Sequence, residues 1–567
     1  MNNQNLTRAL NLYARTLEFT HENEFKIKSY QNAAEKIEGF PYLISEDNMN
    51  DIEGIGSAIA LKIKEIITTG TFSQFENFFS TLPESCMEFF VVPGLSPKKA
   101  GQIYRELNVH SIDEMLQASR ENKLLALKGF GKKTQEELIE CLEYYKSNKG
   151  KFLYGHAVPI SQTIFKEIQQ QSSTLKISLT GEMRRGSNIV SGIEFLAGFE
   201  NEIPDNLNFN GLRKDDSNSA PLAWRGFYDF INGTPKNNFE KYLNLLFPPV
   251  PVEIIFCRKA EFFRKLFITT GSKEHLKPLL KNAPMIPMSE EEIYRANNLP
   301  FIIPELRENL FEWEMIKENK ISEHPVTLSD IKGVLHVHSR YSDGKNSISE
   351  LATHCMKKGL SYLGITDHSK AAFYANGLNE ERLIIQKNEI EKINREIAPF
   401  RIFHGIECDI LSDGKLDFTD EILKELDFVI ISIHSNLVMN EEKAMKRLLK
   451  ALENPYVTML GHPTGRLLLR RKGYPVDHQK MIDACADNKV MIEINSNTYR
   501  LDLDWKWLKY ASDKGIIFSI NPDAHRTEHI DYMQFGVTMA RKGGIMPQQI
   551  LNCMGVERVG EIFERKG

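Results

Sequence analysis

The sequence predicts a multidomain chain of the α+β and α/β classes that ends in a distorted, seven-stranded (βα)7 barrel. Three observations carry this expectation. The chain has 567 residues, and at about 100–200 residues per domain that length fits roughly three to five domains. A glycine-turn pattern at a helix start recurs three times in the first 150 residues. From about Asp330 onward, strand-length apolar runs each end in a side chain able to hold a metal ion, with helix-like segments between them.

Composition narrows the function classes. Hydrophobic residues make up 41% of the chain, enough for ordinary buried cores, and the net charge is −5. That balance excludes a basic nucleic-acid coat, so any contact with nucleic acid must be local. The seven cysteines show no paired spacing, which excludes a disulfide framework and a Cys-based zinc site. The N-terminal stretch is polar and amphipathic with no signal-like apolar core, and no apolar run approaches about 18 residues. A cytoplasmic protein without a membrane partner is expected.

Residues 1–80 and 81–150 read as two helical modules, with apolar residues at three- and four-residue spacing. The recurring pattern is IEGIGSAIALKIKEII at 52–67, VVPGLSPKKAGQIYRE at 91–106 and LKGFGKKTQEELIECL at 127–142. Each copy is an apolar lead-in, a glycine turn, then a helix start whose backbone N–H groups point outward and attract phosphate. This resembles the helix-hairpin-helix element, which grips the DNA backbone without reading sequence. A glycine that merely ends a helix is the plainer alternative for one copy; three copies with nearby lysines favour DNA. The residues concerned are Gly54, Gly56, Gly94, Lys98, Lys99, Gly129, Gly131, Lys132 and Lys133.

Residues 151–256 mix strand-like runs (LKISLTG, IVSGIEFLAGF, VPVEIIFC) with a polar stretch near 201–222. Residues 257–315 look helical and then irregular, and 316–330 is a polar, aperiodic linker. In the last domain, 331–567, GVLHVHS ends in His336 and His338, SYLGITDHS in Asp367 and His368, and FVIISIHS in His434. RIFHGIECDI carries Glu407, VTMLGHP ends in His462, VMIEINS carries Glu493 and Asn495, and IFSINPDAH ends in Asp523 and His525. Polar residues at consecutive strand tips describe a barrel whose C-terminal rim is the active site. Alternation along a strand puts both rings of His336 and His338 on one face. Six of the 15 histidines fall at these tips, with carboxylates beside them, a placement that chance explains poorly. Imidazole with carboxylate suits Zn, Mn or Fe. Nine ligands, counting Asp343, fit two or three divalent ions, which would bind phosphodiester oxygens and activate water without a covalent nucleophile.

HVHSRYSDG, ITDHS, GIECDI, SIHS, GHP, EINSNTYRLDL and NPDAH resemble the PHP (polymerase and histidinol phosphatase) domain. Upstream, LTGEMRRGSN, FITTGSKEH and IPELREN look like the family X DNA polymerases of bacteria and archaea, which carry a PHP domain at the C-terminus. The resemblance spans nearly the whole chain. It implies an N-terminal helical domain and a fingers-like domain with helix-hairpin-helix elements, a nucleotidyltransferase-like palm (151–256) and a thumb (257–315). It implies a PHP domain with 3′–5′ exonuclease and related DNA phosphoesterase activity, usually with manganese, in a DNA repair protein. The nine metal positions it implies are His336, His338, Asp343, His368, Glu407, His434, His462, Asp523 and His525. Arg500 is similar to a family position that could contact substrate phosphate; a structural salt bridge to Asp502 or Asp504 is the alternative.

The polymerase motifs depart from the family pattern. GEMRRG at 181–186 places Glu182 where a serine would touch the triphosphate, and a carboxylate there repels a polyphosphate. The Asp-x-Asp position reads Gly192-Ile193-Glu194, and the third carboxylate is Glu253. Mg²⁺ demands near-ideal octahedral geometry, so a lost or lengthened arm is not neutral. Ile268-Thr269 replaces an aromatic pair and Leu276 an asparagine near the incoming base, whereas Arg184, Arg185, Gly271 and Ser272 remain. These losses imply that polymerase chemistry, and Mg²⁺ at that site, has been abandoned; weak activity supported by Glu194 and Glu253 is the competing view. Lys62 resembles the family's Schiff-base lysine for deoxyribose-phosphate removal, with Lys26 near a 5′-phosphate, and a solvated helix lysine is its alternative. Three functions are therefore carried forward: a DNA repair nuclease acting on gapped, nicked or 3′-ended primer–template DNA, a gap-filling polymerase with PHP proofreading, and a small-molecule phosphatase resembling histidinol phosphatase. A nucleoid-associated monomer fits the first.

Overall fold

The computed structural model describes the whole chain except residues 1–2, 39, 41, 46–47, 49–51, 53, 172–175, 201–208, 210–211, 215–222, 230–234 and 565–567. Most of the polar stretch near 201–222 therefore lies outside the described residues.

The N-terminal helices Asn3–Phe19, Glu24–Glu38, Ser57–Thr69, Ser73–Ser80, Pro97–Leu107, Ile112–Arg120 and Lys132–Asn148 share one apolar core. Phe19, Phe72, Phe75, Phe79 and Phe90 lie at its centre, with ring centroids as close as 4.7 Å. A helix that the sequence pattern does not announce, Asn238–Leu246, joins this core through Phe239, Tyr242 and Leu243. Asn237 caps it by accepting the Glu240 N–H at 2.8 Å, and the Phe239 ring stands 6.0 Å from Phe75. The central domain is thereby tied to the N-terminal one.

The central region contains β1 (Phe152–Leu153), β2 (Lys176–Leu179), β3 (Ile189–Val190), β4 (Ile193–Phe199), β5 (Leu212–Lys214), β6 (Ala223–Tyr228) and β7 (Val250–Arg258). Five of them form a sheet in the order β2-β4-β7-β6-β5, and β1 pairs with β3. The β4 and β7 pair is parallel and sets Glu194 opposite Glu253. The following helices, Phe262–Thr270, Glu290–Arg295 and Glu312–Lys317, share their core with the last domain. Between 316 and 330, Val326 is fully buried and its carbonyl accepts from Arg541 at 3.2 Å.

The last domain contains β8 (Gly333–Val337), β9 (Tyr362–Ile365), β10 (Arg401–Asp409), β11 (Phe428–Ser432), β12 (Met459–Leu460), β13 (Met491–Asn495) and β14 (Phe518–Asn521). They form one seven-stranded sheet, all parallel and in sequence order. An isolated bridge, Val337 to Ala524, joins its two ends and nearly closes the barrel. Helices alternate with these strands, and Ser347, Asn379, Asn440, Asp477 and Asp504 cap them with side-chain oxygens. Such caps satisfy the exposed amides of a helix start. The helix Val556–Glu564 plugs the N-terminal end of the barrel, where Phe563 stacks on Phe428 at 4.9 Å. The polar strand tips thus gather at the opposite rim.

Candidate metal centre

Glu407, at the tip of β10, is the hub of the rim. Its Oε1 lies 3.3 Å from His336, 3.2 Å from His434 and 2.8 Å from His462. Its Oε2 lies 3.6 Å from His338 and 3.0 Å from His368. Asp523 approaches His338 at 3.3 Å and His336 at 3.7 Å. Asp343 approaches His525 at 3.3 Å and His368 at 3.8 Å. All nine residues named from the sequence fall into four overlapping groups whose ligand atoms lie within 4.8 Å of one another.

Plain strand alternation does not bring His336 and His338 together. β8 carries a register shift between Val334 and Val337, and His336 sits at φ 56 inside it. Bulges of this kind re-aim side chains beside functional sites. His462 (φ 23) and Asp523 (φ 51) also occupy the left-handed region, which costs non-glycine residues strain that the surroundings must hold in place.

The donor set suits cations. Nε2 of His336, both ring nitrogens of His338, Nδ1 of His368 and Nδ1 of His462 are buried without a hydrogen-bond partner. Orphaned polar atoms of this kind are rare in a folded protein unless a ligand takes them up. The charge balance agrees. Burial pulls the His336 and His434 imidazoles down, yet the surrounding carboxylates overcome it. Glu493, Glu407 and Asp523 hold His336 well above its ordinary value, and Glu407 with Asp409 lifts His434 to about 10. Asp343 and Asp523 likewise raise His525 to about 9 against its burial. Protons there take the place of positive charge that the carboxylates require. His338, by contrast, is driven down to about 3 by burial and by its neighbours His525 and His368, which leaves it a neutral ligand.

A further row of buried side chains aims the ligands themselves. Glu493 accepts from His336 Nδ1 at 2.6 Å and from the His462 N–H at 2.7 Å, and Asn521 and Asn495 donate to it. Asp409 holds His434 Nδ1 at 3.2 Å. Each carboxylate thereby fixes its imidazole with Nε2 turned toward the cluster. Asp367 accepts from the N–H and Oγ groups of both Ser339 and Ser342 and from Gln386, and so shapes the loop that presents Asp343. The motifs place Glu493 and Asp367 at strand tips but give them no role, and they do not single out Asp409. The i, i+2 spacing of Glu493 from Asn495 and of Asp409 from Glu407 is the signal in the sequence. Arg500 pairs through Nε with Asp523 at 3.1 Å, rather than with Asp502 or Asp504. Asp504 is taken by Arg466, and Asp502 accepts from Thr464. Asp343 and His525, with side chains 36% and 31% exposed, mark the open side of the cluster.

In the five-stranded central sheet and its surroundings the residues of the polymerase motifs are internally engaged. Glu253 accepts from Arg225 at 2.7 Å and 2.6 Å. Burial, then Glu253 and Glu182, push the Glu194 carboxyl up. A Cβ on Gly192 would lie 2.8 Å from the Pro251 carbonyl oxygen. Glu182 accepts the Ser191 N–H at 2.8 Å. Arg184 grips Glu290 through two nitrogens, at 3.0 Å and 2.5 Å, and Arg185 donates to Glu308 at 3.1 Å and to the Thr270 carbonyl at 2.7 Å. Ser272 caps the next helix, Gly271 abuts Leu276, and Leu276 is itself a core residue. Thr269 bonds to Thr180 at 2.6 Å, and Ile268 is 39% exposed.

In the hairpin modules Gly54, Gly94 and Gly129 have φ of 78°, 82° and 85°, a conformation that favours glycine. Gly56 and Gly131 are the N-caps of the helices Ser57–Thr69 and Lys132–Asn148, and Ser96 that of Pro97–Leu107. Lys98, Lys99, Lys132 and Lys133 are exposed around these turns, and Lys99 lies 5.7 Å over the Phe130 ring. Lys62 stands 5.8 Å over Tyr30, and Lys26 pairs with Glu22 at 3.2 Å.

The comparisons with known proteins agree in order along the chain. A family model described as a helix-hairpin-helix domain matches residues 1–72, and one described as a SAM-like helix-hairpin-helix tandem matches 46–108 and 91–143. A model described as the PHP domain matches residues 335–497. A Bacillus subtilis protein named "DNA polymerase/3'-5' exonuclease PolX" is 34% identical over 588 aligned residues, covering 100% of both chains. Proteins named "Probable phosphatase" from Thermoanaerobacter sp. and Caldicellulosiruptor bescii are each 28% identical, over 231 and 219 residues. They match 39% and 36% of this chain and 89% and 85% of their own.

Proposed function

The chain belongs to the family X DNA polymerases that carry a C-terminal PHP domain, and from that premise we propose that it is a DNA repair nuclease whose barrel trims 3′ ends while its palm no longer adds nucleotides. The observation that carries the nuclease reading is the convergence of nine ligand-type side chains around Glu407. His336, His338, Glu407, Asp523 and their neighbours would hold two or three divalent ions, and manganese suits this mixed nitrogen and oxygen set, as do zinc and iron. Bound there, such ions would neutralise phosphoryl charge and activate water. Glu493 and Asp409 keep the imidazoles turned inward, and Arg500, anchored on Asp523, would meet the charge of an arriving phosphate. The exposed lysines around the three hairpins supply a backbone grip on gapped, nicked or 3′-ended DNA.

Loss of polymerase chemistry is supported by the state of the palm. Arg225 already pairs with Glu253, Arg184 and Arg185 are engaged by Glu290 and Glu308, and a Cβ at Gly192 would meet the Pro251 carbonyl at 2.8 Å. The position of Lys62 over Tyr30 gives a lyase role no further support. The whole chain, working as a cytoplasmic, nucleoid-associated monomer, fits this reading.

The test is a 3′-labelled primer–template incubated with Mn²⁺, with and without nucleotides. Mononucleotides should be released and the primer should not be extended. His336→Ala should abolish release while DNA binding changes little. Normal release by that variant rejects the nuclease site, and template-directed extension lost on Glu253→Ala restores the gap-filling polymerase. Rapid histidinol phosphate hydrolysis without DNA affinity would instead favour the small-molecule phosphatase.

A further inference from the structure

Between His368 and Leu378 the chain leaves the barrel rim and returns to its starting point. The Leu378 N–H donates to the His368 carbonyl at 2.8 Å, and the Gly377 N–H to that of Ala372 at 3.1 Å. Arg382 reaches the carbonyls of Asn376 at 2.8 Å and Gly377 at 3.2 Å, and also that of Tyr341. A Cβ on Gly377 would lie 1.9 Å from the Ser369 carbonyl oxygen, so this closure requires glycine. A loop held this firmly nevertheless displays two aromatic rings to solvent. Phe373 is 84% exposed and Tyr374 64%, and their centroids are 6.1 Å apart.

The pair stands beside the open side of the cluster. The loop base is His368 itself. The Tyr374 hydroxyl lies within electrostatic reach of Asp409, Glu407, Asp343 and Arg500. Arg471 in turn senses both Tyr374 and Arg500. An exposed ring pair on a loop rooted at His368 thus has two arginines and the carboxylates of the cluster within electrostatic reach of its Tyr374. Every nucleobase has a face that stacks on an aromatic ring, and arginines match the charge of the adjoining phosphates.

We propose that Phe373 and Tyr374 form a stacking platform for the terminal base of a DNA 3′ end, setting its last phosphodiester over the metal cluster. The proposal rests on the nuclease reading and adds the residues that position the substrate. They hold the base and do not act on the reacting phosphorus.

The experiment uses the full chain and the variant Phe373→Ala/Tyr374→Ala with Mn²⁺ on single-stranded oligonucleotides. One substrate ends in an ordinary 3′ nucleotide and the other in an abasic residue. The variant should lose roughly 5- to 100-fold in kcat/KM on the ordinary end, mainly through KM. On the abasic end it should match the unchanged protein. A second readout places 2-aminopurine at the 3′ terminus behind a phosphorothioate linkage that slows cleavage. Its fluorescence should fall on binding the unchanged protein and stay high with the variant, both at protein concentrations where anisotropy shows the oligonucleotide fully bound. Equal losses on both ends, no loss, or equal quenching by both proteins overturns the platform; a pair that serves a protein partner gives this result. Quenching that depends on the pair without nucleotide release leaves the platform standing and removes the nuclease reading.

Discussion

Glu290 joins Arg184, which the family resemblance would give to other work, to a second arginine. It accepts from Arg184 and, at 2.5 Å, from the fully buried Arg307. Burial alone would raise its carboxyl, but Arg307 and Arg184 outweigh it and hold it below the ordinary 4.5. A carboxylate depressed in the folded state contributes stability above its unfolded value. That contribution is lost as pH falls below 4.5 and through the lower folded value. Glu290→Gln should therefore cost about 3–5 kcal/mol at neutral pH, because Arg307 is left buried with its charge uncompensated. It should also flatten the acid limb of the Tm-against-pH curve of the metal-free protein. A variant with unchanged Tm at pH 7 would show that the pair contributes nothing. At this scale the sequence identified residue types well and partners poorly. Arg184 and Arg185 are where the motif places them, yet Glu290 and Glu308, more than a hundred residues away, decide what they touch.

The hairpins are the elements whose function was most legible. A positive-φ glycine, a tight turn and a helix start are local events, set within a few residues, so three copies could be read directly from the chain. Substituting Lys98 and Lys132 by Glu should weaken DNA binding at all sequences alike. The slope of log affinity against log salt should shrink by about 0.9 for each phosphate that the variant no longer neutralises. An unchanged slope in filter binding or anisotropy would remove the hairpins from the interface. The helix Asn238–Leu246 was not legible for the opposite reason. Its apolar face is short and follows a stretch of polar residues, and its place is fixed by the aromatic core of another domain. The bulge in β8 belongs here too: His-x-His announced a pair of ligands, but the backbone turn that makes them converge depends on the neighbouring strand.

Across the whole molecule, the barrel and the helices that precede it share one core, and charged residues tie the central region to it. Lys542, almost fully buried, pairs with Glu308 and lies 4.5 Å from the Trp505 ring, while Arg541 reaches Glu305 at 2.6 Å. Glu308 also holds Arg185, so an arginine of the GEMRRG motif is part of the joint between the central region and the barrel. Restoring a single carboxylate should then fail to revive synthesis. Gly192→Asp should give no primer extension with Mg²⁺ and should lower Tm, since its Cβ would press on the Pro251 carbonyl. Extension by that variant would show that the palm has lost only a side chain and kept its shape.

The order of hairpin modules and barrel, the family, and the nine residues that gather at the barrel rim were all readable along the chain. These rest on periodicity, turn chemistry and motifs, all of which are short-range properties of a chain. Which atoms meet was settled by packing. It put Glu407 at the hub, recruited Glu493 and Asp409 to aim the imidazoles, turned Arg500 to Asp523, and tied the Phe373–Tyr374 loop beside the cluster. Contacts between residues far apart in sequence depend on strand register, bulges and competition among partners, and these are settled only when the whole core packs.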